Sequence, residues 1–245
     1  QNLTGATLPG LEVLSGTGSV TMSAEQVSLF KEIRGVSVQL TGDAQSYEMP
    51  STLRLVQGAE VLLPDVDSDL VGSGGLIGSV KDDLLAGSAA SDTLRGGRGA
   101  DRLVGGDGND TAIYNGTQSD YRFGVDQGQL TVTHITTGAV DTLDGIETLE
   151  FADGPIEVSL DINGGFALSG SSLEDTITVS SDVGFSLEGG DGADVLEGGT
   201  GNDTLVGGAG SDVLIGGEGN DTAIYNGIQS DYRFGVDQGQ LTVTH

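Results

Sequence analysis

The sequence predicts an all-β chain built largely as parallel solenoid, and three observations predict it. A nine-residue unit recurs in register. Glycine is abundant and proline scarce, 43 residues against 4. One large apolar residue falls at a fixed place in each unit. A short fixed period means stacked units, each burying its apolar side chain only against its neighbours.

The period is clearest from Gly189 to Ile224, in the frames GGDGADVLE, GGTGNDTLV, GGAGSDVLI and GGEGNDTAI. Positions one, two and four are glycine: Gly189, Gly190 and Gly192; Gly198, Gly199 and Gly201; Gly207, Gly208 and Gly210; Gly216, Gly217 and Gly219. Position six is Asp194, Asp203, Asp212 and Asp221, and position eight is Leu until Ala223. A degenerate frame before them keeps Gly170, Asp175 and Ile177. An upstream array has two full frames, with Gly96, Gly97, Gly99 and Asp101, then Gly105, Gly106, Gly108 and Asp110. Two weaker frames, GSVKDDLLA from Gly78 and GSAASDTLR from Gly87, keep Asp83 and Asp92 with Leu85 and Leu94.

A longer period is a duplication. Asp110 to His134 recurs 111 residues later as Asp221 to His245, with Ile228 replacing Thr117. The expected organisation is a β-rich N-terminal segment over 1–64, an acidic and glycine-rich linker over 65–77, a first array over 78–113 and a β-rich flank over 114–169. A second array over 170–224 and a partial copy of the flank over 225–245 complete it. Within 1–64, runs such as LEVLS and VSVQL predict short strands, and Ala24–Ile33 predicts a helical turn or two. The second flank stops at His245 and the chain opens on Gln1. The natural protein is therefore expected to continue beyond this chain, or to have lost a leader.

In the unit G-G-x-G-x-D-x-U-x, six residues turn and three form a strand whose large apolar U points inward. Two units complete one coil, so residues 18 apart stack at the parallel-strand spacing of about 4.8 Å. Leu196 is expected to stack with Leu214, Leu205 with Ala223, Leu85 with Leu103 and Leu94 with Ala112. The same geometry stacks Asp194 with Asp212, Asp203 with Asp221, Asp83 with Asp101 and Asp92 with Asp110. Two carboxylates about 5 Å apart repel by roughly 3 kcal/mol at an effective dielectric near 20. A hard divalent cation reverses that sign. Ca²⁺ takes six to eight oxygens, carboxylate and carbonyl alike, and glycine turns leave carbonyls free to face it. Mg²⁺ prefers tight octahedral geometry. Zn²⁺ prefers Cys and His, of which the chain has none and two.

Composition agrees. With 37 acidic and 9 basic residues the net charge is −28, which speaks against nucleic-acid partners. No apolar run approaches the roughly 20 residues of a membrane span. Signatures of zinc proteases, serine hydrolases and P-loop enzymes are missing, and no catalytic residue is assigned. Asp65, Asp67 and Asp69 begin like an EF-hand loop, but Leu70 and Leu76 stand where it needs Gly and Glu, so they read as acidic linker. His134 and His245 read as structural strand ends. Tyr114, Tyr121, Tyr225 and Tyr232 are expected to cap the end of each solenoid.

The full nonapeptides resemble the RTX (repeats-in-toxin, hemolysin-type) calcium-binding repeats. The flank motif Ile146 to Gly154 is similar to sequences that follow such arrays. The resemblance implies a parallel β-roll, export by a bacterial type I system, folding outside the cell, and several Ca²⁺ ions held by the sixth-position aspartates and the glycine-turn carbonyls. The N-terminal segment is similar in composition to bacterial S-layer and other surface proteins. The leading expectation is a calcium-binding structural module of a secreted or cell-surface protein, of S-layer, adhesin or matrix type, assembling with further copies of itself. The alternatives are an export and folding appendage of a secreted enzyme, and glycan binding on the flank.

Overall fold

A computed structural model describes residues 75–160, 164–226, 228–231, 233–237 and 240–244, with the strand segments 13–23, 32–41, 46–48, 54–56, 60–62 and 69–71. Apart from two single 3-10 turns, Gln118–Asp120 and Gln229–Asp231, every described element is a strand. The all-β parallel roll read from the repeats is the observed fold.

Each coil contributes one short strand to each of two faces. On one face of the first roll, Gly75–Ile77, Thr93–Arg95 and Thr111–Ile113 pair in parallel, with Leu76, Leu94 and Ala112 in register. On the other, Asp69–Val71, Leu84–Ala86 and Arg102–Val104 stack Leu70, Leu85 and Leu103. The second roll repeats the plan: Leu187, Leu205 and Ala223 align on one face and Ile177, Leu196 and Leu214 on the other. All four apolar pairs expected from the 18-residue spacing are present.

Two features lie beyond the repeat pattern. The parallel ladder runs back through the residues read as linker, since both Asp69–Val71 and Gly75–Ile77 belong to it, and continues to Glu60–Leu62, Glu32–Thr41 and Val13–Ser23. The helical turn expected over Ala24–Ile33 falls outside the described residues up to 31, and Glu32 and Ile33 open a strand. The first roll also gains a coil past Ile113. Val140–Asp144 pairs in parallel with Arg102–Val104, and Thr148–Phe151 with Thr111–Ile113. A hairpin, Tyr121–Asp126 with Gln129–His134, is inserted before this coil, and its second strand also pairs with Val140–Asp144. Its two-residue turn has Gln127 at φ 49° and Gly128 at φ 82°, the doubly positive geometry that matches strand twist.

Thr148–Phe151, Gly154–Leu160 and Phe166–Ser169 then pair antiparallel in succession. Two reversals restore the original direction, so Phe166–Ser169 pairs in parallel with Ser186–Gly192 and starts the second roll on the same sheet. Gln118 ties the joint. Its side chain is fully buried, donates to Asp175 Oδ1 at 2.6 Å and accepts from the Thr176 N–H at 2.6 Å.

The core is one apolar column inside each face: Leu76, Leu85, Leu94, Leu103, Leu149, Leu187, Leu196 and Leu205 are at most 2% exposed. Tyr114 stacks on Phe151 and meets Tyr121 edge-on, closing the far end of the first roll. So thin a core has no slack. Leu94→Ala is expected to destabilise the calcium-loaded chain by about 2–5 kcal/mol. Leu160→Ala, at a 64% exposed side chain, should change stability by less than about 0.5 kcal/mol. Urea unfolding in calcium measures both.

Candidate metal centres

The aspartates at position six are buried. Asp83, Asp92, Asp101, Asp110, Asp175, Asp194 and Asp203 are 3% exposed or less, while Asp212 and Asp221, on the outermost coil, are half-buried. Asp101, Asp110, Asp194, Asp203, Asp212 and Asp221 use Oδ1 to cross one coil. The N–H of Asp83 donates to Asp101 at 2.9 Å, that of Asp92 to Asp110 at 2.7 Å, that of Asp194 to Asp212 at 3.2 Å and that of Asp203 to Asp221 at 3.0 Å. Sequence residues 18 apart thus form columns of carboxylates.

The second oxygen separates weak frames from full ones. Where the frame begins Gly-Ser, the serine N–H and hydroxyl fill it: Ser79 on Asp83, Ser88 on Asp92 and Ser171 on Asp175. In three Gly-Gly frames, Oδ2 of Asp101, Asp110 and Asp194 is buried with no hydrogen-bond partner. Asp203 Oδ2 takes only the Gly199 N–H, at 3.0 Å. A bare anionic oxygen in a dry turn is costly unless a cation meets it.

The glycines shape this pocketed backbone. At the first position, a Cβ on Gly96, Gly105, Gly189, Gly198, Gly207 or Gly216 would strike the frame's own aspartate. At the second and fourth positions the chain approaches the coil below. Gly97, at φ +110°, would drive a Cβ into the Ser79 carbonyl oxygen, and Gly208, at φ +103°, into that of Gly190. Gly99, Gly106, Gly108, Gly190, Gly192, Gly210, Gly217 and Gly219 share the positive φ. Gly199 and Gly201 do not, and are held to glycine by close backbone at Ser181 and Val183.

Among the described residues no three His, Cys, Asp or Glu side chains converge. A cation on these columns therefore draws a few carboxylates and completes its shell with carbonyls and water. That donor set fits Ca²⁺ and not Zn²⁺.

Three residues of the columns escaped the nonapeptide register. Asp141 Oδ1 accepts the Asp101 N–H at 2.9 Å and Glu147 Oε2 accepts the Asp110 N–H at 2.8 Å, so both columns climb one coil further. The D-T-L triplet at Asp141, shared with Asp92 and Asp203, was the available signal. Phe185 occupies a sixth position, and its N–H donates to Asp203 at 2.8 Å. That turn brings no acid to the sixth position. Asp69 opens a ladder strand, while Asp65 and Asp67 lie outside the described residues. His134 accepts from the Thr137 N–H at 3.2 Å and lies edge-on to Tyr121. His245 and Tyr232 lie outside the described residues.

Fold and columns together define a calcium-binding parallel β-roll. Its arrays are RTX calcium-binding nonapeptide repeats, a family that matches the chain in four copies over residues 77–112 and 188–223. Repeats of this family bind Ca²⁺, several ions to an array. No curated protein matches the chain. Among solved structures, the crystal structure of extracellular lipase LipA from Serratia marcescens is similar at 16% identity over 85% of this chain and 42% of that one, with a TM-score of 0.25. The chain thus spans less than half of that protein's length, and so low a score carries no argument.

Burial, above all, pushes Asp101 up to about 7 and Asp141 up to about 6, and neighbouring carboxylates add to both. Burial raises Asp110 and Asp194 as well. A carboxyl whose folded pKa exceeds its unfolded value binds protons more tightly when folded, so stability falls as pH rises between the two. The calcium-free chain should lose thermal stability from pH 4 to pH 7. With excess calcium the carboxylates ionise onto the metal, and that loss should shrink or reverse. Melting temperatures across this range, in chelator and in calcium, measure the two slopes.

Proposed function

We propose that the chain is a calcium-stabilised structural module of a secreted or cell-surface bacterial protein, of S-layer, adhesin or matrix type, which folds on meeting Ca²⁺ after export. The observation that carries this is the buried carboxylate columns, in which three Gly-Gly frames, those of Asp101, Asp110 and Asp194, leave an oxygen unmatched. Asp101, Asp110, Asp194 and Asp203, with Asp83, Asp92, Asp212 and Asp221 one coil away, would hold the ions, joined by carbonyls of the glycine turns. Calcium supplies positive charge between stacked anions and nothing else. The protein's own contribution is to hold those oxygens in register through the N–H bonds between coils.

The structural reading draws support from the 111-residue duplication and from the sheet that runs through both rolls. Tandem modules on one continuous sheet suit an extended surface, with copies of the chain as its partners. The other expectation, an export and folding appendage of a secreted enzyme, uses the same calcium chemistry and differs in what the parent protein carries.

Each site held at calcium ten times its Kd adds about 1.4 kcal/mol to the folded state, so several sites decide between folded and unfolded. Titrating Ca²⁺ into chelator-stripped protein should give a cooperative gain of β signal in far-UV circular dichroism that Mg²⁺ does not reproduce. A chain already folded without calcium, and binding none, would overturn the proposal. The second array has seven acidic and no basic residues from Gly189 to Ile224, against six and four from Gly78 to Ile113. The tighter binding phase should therefore belong to the second array. In the full chain, Asp203→Ala should remove the tight phase and Asp101→Ala the weaker one, as read by calorimetry.

A further inference from the structure

The inserted hairpin breaks the column of turns on one side of the first roll. Above the turn Gly96–Gly99, where the next glycine turn would stack, lies a cavity of about 430 Å³, within the size range of small-molecule sites. Arg95 and Arg98 stand at its floor, Tyr114, Tyr121 and His134 on its walls, and Asp141 beside them.

Three observations mark it as a site. The Tyr114 hydroxyl is buried against the Asp141 carboxylate in the cavity wall. Arg102 reaches Asp144 at 3.5 Å, whereas Arg95 and Arg98 have no ion pair among the described residues. The third is internal to the chain. The duplicated module keeps the tyrosines and the hairpin sequence, yet places Val206, Ala209 and Val213 where the first has Arg95, Arg98 and Arg102. In a chain of net charge −28 with 9 basic residues, two arginines line this one cavity.

The chemistry of the walls selects the ligand. Two guanidinium groups call for a carboxylate or similar oxyanion. The Asp141 carboxylate calls for hydroxyl groups, since a second anion beside it is repelled. Aromatic walls accept the apolar face of a ring. A neutral sugar leaves the arginines unmatched, and inorganic phosphate leaves Asp141 and the rings unmatched. We propose that this cavity binds an acidic sugar, a hexuronate unit of an anionic polysaccharide.

The proposal rests on the calcium reading in one respect, because the cavity floor is a glycine turn of the roll. The test uses the full chain, with calcium in excess of sugar, and calorimetry with digalacturonate, galactobiose and inorganic phosphate. Digalacturonate should bind saturably at one site, and galactobiose and phosphate at least tenfold more weakly. The variant Arg95→Val/Arg98→Ala, which installs the residues of the second module, should bind digalacturonate at least tenfold more weakly with unchanged calcium-dependent circular dichroism. Absence of digalacturonate binding to folded protein, equal binding by the variant, or equal binding of galactobiose or phosphate would overturn the proposal. Circular dichroism of the same samples reports calcium-dependent folding, so failure of the calcium reading shows separately.

Discussion

Stacking carboxylate on carboxylate at one strand spacing is the constraint on which the rest of this structure depends. The parallel ladder brings residues 18 apart into contact whether they attract or repel, and in both rolls the contact at the turn is Asp over Asp. The apolar columns are too narrow to offset that repulsion across many coils. Positive charge between the stacked carboxylates relieves that repulsion, and calcium is the cation whose oxygen shell these turns suit. The glycines serve the same end, because a side chain at the first position displaces the carboxylate and one at the second blocks the coil below.

The flank solves a different problem, that of ending or interrupting a ladder. After Ile113 the hairpin steps out of the solenoid, and Val140–Asp144 and Thr148–Phe151 step back in, carrying the columns on through Asp141 and Glu147. The turn between them is shorter than a nonapeptide turn, so the repeat is lost in sequence while the ladder persists in space. Tyr114, Tyr121 and Phe151 seal this end, and Gln118 fastens it to the first frame of the second roll.

The duplicated flank shows how far context decides burial. Gln118 is fully buried and Gln229 is exposed; Tyr114 is 9% exposed and Tyr225 43%. The neighbours in sequence are the same but for Ile228 in place of Thr117. The difference is that the first copy meets Phe151 and Asp175 from elsewhere in the chain.

The nonapeptide register alone determined the parallel roll, the stacked apolar pairs, the aspartate columns and the cation, because a strict period with obligatory glycine leaves one way to stack. Tertiary structure decided everything that departs from the period. Asp141 and Glu147 join the columns through long-range pairing across the hairpin, and their spacing of six residues hides them from a nine-residue register. The ladder's run through the residues read as linker has the same cause, since Leu70 and Leu76 find Leu85 and Leu94 only once coiled. The cavity over Gly96–Gly99 exists because an insertion displaced a turn. A repeat encodes contacts between its own copies; it carries no record of what is placed between them.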